Sequence, residues 1–375
     1  MSAPCVRHRL YQGAAHASLF AILLLATGCG STPPQNTDSK LHEPPRAEQA
    51  AAVVPTSDAE PKTDAEPPEE IVSASGNVGV AEIPDVSAFR QVVALSDVHG
   101  MFANLARLLS ACRIITPEGH WLADRTLLIV TGDSIDKGPQ SLEVIDLWRT
   151  LCVEAPRRRS RVVVLLGNHE AEFLANPHKK KSAALRDELK TQGLDVEEVT
   201  DSTHPRARFL RSLPLAARVG KRWLFCHAGW IPKMDYADFV AQAQSVLQSG
   251  DYESDLLLDE SSILEKSVDS EGEKWWKSAA EVKDLEDRLT QDGLYGVVFG
   301  HQPAAFGLAA AVGAYDAKDA RLIKIDSGMA PDAGSHPGHL LLFTTPEELM
   351  RNQRPAHIFS SGFDDGHPEL RTRPL

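Results

Sequence analysis

The chain reads as an α/β protein in which strands buried on both faces carry helices packed against them. Three observations predict this. Runs such as Val92-Val93-Ala94-Leu95, Leu127-Leu128-Ile129-Val130 and Val162-Val163-Val164-Leu165-Leu166 are short, rich in branched residues and apolar without alternation, as strands covered on both sides must be. Segments with apolar residues at helical spacing separate them, and such alternation marks a largely parallel sheet. Each apolar run also stops at a polar cluster: Ser96-Asp97-Val98-His99-Gly100, Gly132-Asp133-Ser134-Ile135-Asp136-Lys137-Gly138, Gly167-Asn168-His169-Glu170, Cys226-His227-Ala228-Gly229 and Gly300-His301-Gln302-Pro303. In open α/β sheets ligands bind beyond the carboxyl ends of the strands, where these clusters would gather.

Taken in order, the 375 residues begin with Arg7 and Arg9 ahead of an apolar stretch, Ala17 to Ala26. It is too short to span a bilayer but suits a secretory signal. It closes on Leu25-Ala26-Thr27-Gly28-Cys29, small residues before a cysteine, which resembles a bacterial lipoprotein signal. That resemblance implies removal of the segment before Cys29, lipidation of Cys29, and a membrane-anchored protein of the cell envelope, at the periplasmic face or outer membrane. Residues 30–88 are rich in Pro, Ala and Glu, lack a sustained apolar period and hold 11 acidic against 3 basic side chains. A disordered tether is expected there. It accounts for most of the chain's net charge of −13. The remainder is mildly acidic, which argues against a nucleic-acid partner, since phosphate backbones are met by basic grooves.

The folded domain is expected over residues 89–350. After the first cluster, Leu105, Leu108, Leu109 and Cys112 fall on one helical face; after the second, Leu142, Ile145, Leu147 and Trp148 do the same. Further strands are expected at Trp223 to Cys226, Val297 to Phe299, Leu322 to Ile325 and His339 to Phe343, the last few forming a second sheet. Helical insertions occupy the regions near 171–215 and 231–296. The first contains His178-Lys179-Lys180-Lys181, which reads as a solvated helix start. The second ends near Trp275-Trp276-Lys277, where paired tryptophans suit core packing or a substrate wall. Residues 351–375 read as a loosely packed tail. Cys112 and Cys152 lie in apolar segments as fillers; the odd number of cysteines after Cys29 leaves any disulfide pairing open.

Alternate residues on a strand point the same way, so Asp97 and His99 can face one cation. A carboxylate with an imidazole suits manganese, iron, zinc or cobalt better than calcium. Asp133, behind a second buried strand, can bridge two cations through its two oxygens, and Asn168, His227 and His301 supply neutral ligands for the second. Taken singly, each of these reads equally well as a helix cap, a turn residue or a hydrogen-bonded histidine. Five in order, each behind its own strand and flanked by glycine, make coincidence a poor account.

This series resembles the calcineurin-like metallophosphoesterases. Gly-Asn-His-Glu and Gly-Asp-x-x-Asp-Lys-Gly are similar to the phosphoprotein phosphatases with their Shewanella-like branch, while Gly138-Pro139-Gln140-Ser141 and His227-Ala228-Gly229-Trp230-Ile231-Pro232 resemble diadenosine tetraphosphate hydrolases of the wider group. The likeness covers roughly residues 91 to 328. It implies a metallophosphatase-type β-sandwich with flanking helices and metals at the carboxyl ends of the strands. It further implies two divalent ions (Mn, Fe or Zn), one on Asp97, His99 and Asp133, the other on Asp133, Asn168, His227 and His301. Water activated between them would attack phosphorus in line, with His169, oriented by Asp136, protonating the leaving oxygen. Lys137 stands where the phosphatases usually have arginine, and Lys277 stands at a looser match to a second one; both are expected to meet the substrate phosphate. The resemblance therefore implies a phosphomonoesterase acting on phosphoprotein or small phosphoesters. A dinucleoside polyphosphate hydrolase is the alternative, and a binding lipoprotein without turnover is a third reading, disfavoured because every ligand position is filled.

Overall fold

Alternating side chains sort the strands into two sheets rather than one. The computed structural model describes residues 78–229, 233–316, 318–344, 346–350, 358–363 and 370–375. The expected signal segment, Cys29, the expected tether up to residue 77 and Trp230-Ile231-Pro232 lie outside the described residues. In chain order the domain opens with β1 (Val80–Ile83), β2 (Gln91–Leu95), α1 (Phe102–Ala111), β3 (Thr126–Val130), α2 (Ser141–Glu154), β4 (Arg161–Val164) and α3 (Asn168–Ala175). The first insertion adds α4 (Ala183–Thr191), α5 (Val196–Thr200) and α6 (Pro205–Arg211), leading to β5 (Ala216–Val219) and β6 (Trp223–Cys226). The second adds α7 (Tyr236–Ser249), α8 (Asp255–Leu258) and α9 (Ala279–Gln291), before β7 (Gly296–Phe299), β8 (Gly313–Ala314), β9 (Leu322–Lys324), β10 (His339–Phe343), β11 (Ile358–Phe363) and β12 (Leu370–Pro374).

One sheet has the order β1-β5-β6-β7-β9-β8 and the other β12-β11-β10-β2-β3-β4. Val92, Ala94, Leu127, Ile129 and Val163 of the second meet Ala217, Val219, Phe225, Val298 and Ile323 of the first in one buried cluster between the sheets. Their alternates Val93, Leu95, Leu128 and Val130 face outward into a cluster with Leu105 and Leu108 of α1 and Leu142 and Trp148 of α2; Leu224 and Phe299 of the other sheet join it with Phe239 of α7 and Leu285 of α9. The result is helix, sheet, sheet, helix. Each fully buried aliphatic or aromatic side chain contributes roughly 1.5–3 kcal/mol, so a strand with no polar alternation is stabilised from both faces.

The expected sandwich of two sheets with flanking helices is what the chain forms; what is corrected is the share-out of the late strands. β2, β3 and β4 are parallel in one sheet, whereas β6, β7 and β9 are parallel in the other. β10, expected with the late strands, pairs antiparallel with β2, because its run His339-Leu340-Leu341-Leu342-Phe343 covers the apolar edge of that strand. Nor are the described parts of the expected tail, residues 358–363 and 370–375, loose. β11 and β12 extend this sheet antiparallel beyond β10, and Arg371, Arg373 and Pro374 are exposed on the last strand. Arginine and proline there suit an edge that must not recruit another strand, and this polarity is what reads as a tail. The domain also starts earlier than residue 89, since β1 pairs with β5 from Val80. The insertions are helical as expected, and the first is tied to the core where Glu188 of α4 accepts the Ser141 and Leu142 amides at the start of α2.

Candidate active site

Three of the five clusters leave their strands through backbone that ordinary residues avoid. Asp97, His99, Asp133, Asp136, Lys137 and His301 all have positive φ, between 48° and 69°, a left-handed conformation that costs free energy outside glycine and gathers at functional sites. Asp97 and His99 lie beyond the end of β2 at Leu95. The strand-alternation argument for them therefore fails, although its conclusion stands: a left-handed turn, held by His99 N–H to Asp133 O at 2.8 Å and Asp97 N–H to Gly132 O at 3.1 Å, turns both side chains inward. The turns close tightly enough to demand glycine. A Cβ on Gly167 would lie 2.2 Å from both the Asp133 amide nitrogen and its Oδ1, and one on Gly300 would lie 2.1 Å from Asp97 Oδ2.

Hydrogen bonds at the outer nitrogens fix how the imidazoles face inward. His227 Nδ1 is 2.8 Å from Thr131 O and His99 Nδ1 is 3.2 Å from Ile135 O. A carbonyl can only accept, so in each neutral ring Nδ1 carries the proton and Nε2 presents a lone pair. Those two Nε2 atoms meet the same carboxylate from opposite ends, His99 lying 3.4 Å from Asp133 Oδ2 and His227 lying 3.3 Å from Asp133 Oδ1. Ligand atoms of His99, Asp133 and His169 lie within 4.8 Å of one another, as do those of Asp133, His227 and His301. Asp97 Oδ1 is 3.8 Å from His99 Nε2, and Asn168 Oδ1 is 3.1 Å from His227 Nε2. The donor set thus fits two cations sharing Asp133: Asp97 and His99 on one side, Asn168, His227 and His301 on the other.

The electrostatics agree with a place built for positive charge. Burial pushes the Asp97 carboxyl up to about 6. Burial alone would discharge His227, but the Asp133 carboxylate, with help from Asp97, pushes it to about 10. Burial, then the neighbouring His227, pushes His301 down to about 3. In the metal-free chain His227 therefore holds a proton where a cation would sit, so metal binding releases it.

His169 and Asp136 form the expected pair. His169 Nδ1 lies 3.3 Å from Asp136 Oδ2, which leaves Nε2 toward the cluster, and the His169 ring stands edge-on to His99 with centroids 4.8 Å apart. Burial works against its protonation, but Asp133 and the bond to Asp136 outweigh it and raise its pKa. Lys137 is also at the cluster, its Nζ 3.2 Å from His99 Nε2. Lys277 is not. It is exposed and pairs across 4.0 Å with Glu273, because the adjoining Trp275 packs against Phe299 and Phe306 and a short 3-10 turn carries the lysine to the outside.

A model of the calcineurin-like phosphoesterase family matches residues 90–307, more than half of the chain. The chain belongs to that family. Among curated calcineurin-like relatives and others, it is 33% identical over 163 residues to a symmetrical bis(5'-nucleosyl)-tetraphosphatase of Methylococcus capsulatus, covering 43% of this chain and 51% of that one. It is 31% identical over 80 residues to Shewanella-like protein phosphatase 1 of Plasmodium berghei, 21% of this chain and 22% of the relative. The chain thus spans about half or less of the length of these relatives. A cold-active protein-tyrosine phosphatase of a Shewanella species shares the fold, with a TM-score of 0.58 at 20% identity over 78% of this chain and 82% of the other.

Several residues of the site escape a reading of the sequence. Glu170 of the Gly-Asn-His-Glu cluster is fully buried and accepts the amides of Gly167, Asp133, Ser134 and Ile135 at 2.7–3.1 Å, binding two ligand turns into one body. Its place beside His169 was a usable signal. The run His178-Lys179-Lys180-Lys181 is exposed as read, yet its last residue, Lys181, also pairs with Glu172 and Glu265. Asp332 stands 3.5 Å from Lys137. Neither Glu265 nor Asp332 sits in a motif.

Proposed function

We propose that the chain is a two-metal phosphomonoesterase of the calcineurin-like family, acting on phosphoprotein or small phosphoesters. The observation that carries this reading is Asp133, whose two oxygens each meet a histidine from a different sheet, beside the His169–Asp136 pair. Two divalent cations, of Mn, Fe or Zn type, would supply positive charge to the phosphate and lower the pKa of an attacking water. Asp133 holds the two halves in register. His169, with Nδ1 engaged by Asp136, offers Nε2–H to the departing oxygen, and Lys137 brings charge to the phosphate without the two-pronged geometry of arginine. The left-handed turns keep these groups in place before substrate arrives.

Dinucleoside polyphosphate hydrolysis is the second reading, favoured by the likeness to the tetraphosphatase of Methylococcus capsulatus. Asp332, two-thirds exposed and beside Lys137, speaks for the monoester, because a carboxylate at the entrance repels additional phosphates. The apolar stretch ending at Cys29 supports an exported, lipid-anchored enzyme in the cell envelope, with residues 30–77 as its tether. The full chain, loaded with manganese, should release phosphate from phosphotyrosine or phosphoserine peptides. Cleavage of diadenosine tetraphosphate alone would replace the first reading with the second.

A further inference from the structure

The ligand Asn168 raises a question that its neighbours answer. A carboxamide can turn either its oxygen or its NH2 toward a cation, and only the oxygen binds, so something must choose the orientation. In this chain Asn168 Nδ2 donates to Glu265 Oε1 at 3.1 Å, while Asn168 Oδ1 lies 3.1 Å from His227 Nε2. A carboxylate only accepts. It therefore holds the NH2 on its own side and leaves Oδ1 facing the ligand cluster.

Glu265 is built into place rather than lying there by chance. Its side chain is largely buried. Its amide and that of Leu264 donate to Ser262 Oγ, at 3.1 and 3.3 Å, and Ser262 Oγ donates to Leu257 O at 2.8 Å, fixing the turn after α8. The same turn is joined to both second-half histidine loops: Ala228 N–H donates to Ile263 O at 2.9 Å, and Gln302 Nε2 donates to Lys266 O at 3.0 Å. Lys181 braces it from the other insertion, 3.4 Å from Glu265 and bonded to Glu172, one helical turn after Asn168 on α3. Asn168, Glu265, Lys181 and Glu172 thus form a chain in which donor and acceptor alternate and whose two ends stand on α3.

We infer that Glu265 is a positioning residue for the second metal, orienting the Asn168 carboxamide so that its oxygen is the ligand. This rests on the two-metal reading. Residues that orient a metal ligand from outside typically contribute 10- to 100-fold in affinity, and Glu265 acts on one half of the site only, since no contact among the described residues links it to His99 or Asp97. Manganese titration by calorimetry on the full chain, with thermal melting as a check on folding, tests it. Wild type should bind two ions. Glu265→Ala should weaken one by about 10- to 100-fold and leave the other within about twofold, whereas Glu265→Gln, which keeps an oxygen acceptor, should recover most of the loss. Unchanged affinities in Glu265→Ala, or equal loss at both ions, would overturn the inference, and so would an equal loss in Gln and Ala variants that melt like wild type. A wild type that binds fewer than two ions would instead strike the two-metal reading beneath it.

Discussion

The two halves of the site are built in different ways. The first half, Asp97, His99 and Asp133 with Asp136 and Lys137, comes from two neighbouring parallel strands and the left-handed turns that follow them. Its support comes mostly from the backbone of those turns and from Glu170 at the start of α3, with one tie to the opposite sheet where the His301 amide donates to the Asp97 carboxylate. The second half takes Asn168 from the start of α3, His227 and His301 from the opposite sheet, and its support from two insertions through Lys181 and Glu265. One half is a product of strand and turn geometry. The other depends on the two sheets, α3 and both insertions being assembled together, which makes it the more easily tuned and the more easily lost.

Asp133 is where the halves meet, so its substitution tests the comparison most severely. Asp133→Asn keeps the size of the side chain but removes the charge that both Nε2 atoms face. Losing several kcal/mol of metal-supplied stabilisation corresponds to a fall on the order of 10³-fold or more in kcat/KM. Metal analysis should show both ions depleted. If one ion were retained at full occupancy, the halves would be independent and the bridging role of Asp133 wrong.

Next in size is His169, the proposed proton donor, whose ligand atom lies within 4.8 Å of those of His99 and Asp133. His169→Gln should lower kcat by roughly 10²- to 10⁴-fold with manganese content unchanged; loss of metal would make His169 a ligand. Asp136→Asn gives the sign of its titration. His169 has a raised pKa, to which the Asp136 bond contributes, and a general acid must be protonated, so activity falls as pH rises through that value. Removing the carboxylate lowers the pKa, and the alkaline limb of the kcat profile should move to lower pH. A limb that stays put or moves up would separate Asp136 from the acid.

What the sequence made legible follows the same division. The first half is written in two short clusters, so Asp97, His99, Asp133, Asp136 and Lys137 could be offered together, and even a wrong reason for Asp97 and His99 named residues that the fold brings together. The strands were legible where both faces are buried, as in β2, β3, β6 and β10, because an unbroken apolar run has few other uses. β1, β11 and β12 were not, since they are edge or near-edge strands whose residues alternate with polar ones and whose pairing depends on distant partners. Glu265 and Lys181 were illegible for a related reason. Their roles come from insertions folding back onto Asn168, and local composition showed only acidic and basic surface; the basic run is indeed exposed, but its ion pairs to Glu172 and Glu265 are not written in it.

Lys137 and Lys277 give the smallest effects and the finest test of that lesson, because the sequence offered both as phosphate contacts and the fold brings only one of them to the ligand cluster. Lys137 reaches His99 in the first half; Lys277 pairs with Glu273 in solvent, and an exposed pair of this kind is worth about 0–1 kcal/mol. Lys137→Ala should raise KM for a phosphomonoester or lower kcat/KM by about 10-fold, the scale of one charge-assisted hydrogen bond. Lys277→Ala should stay within about twofold in kcat/KM and melt within a degree or two of wild type, as surface substitutions do. A loss at Lys277 as large as that at Lys137 would mean that the segment after Trp276 closes over bound substrate. In that case the likeness that first placed a phosphate-binding residue there would describe the closed enzyme better than its resting fold does.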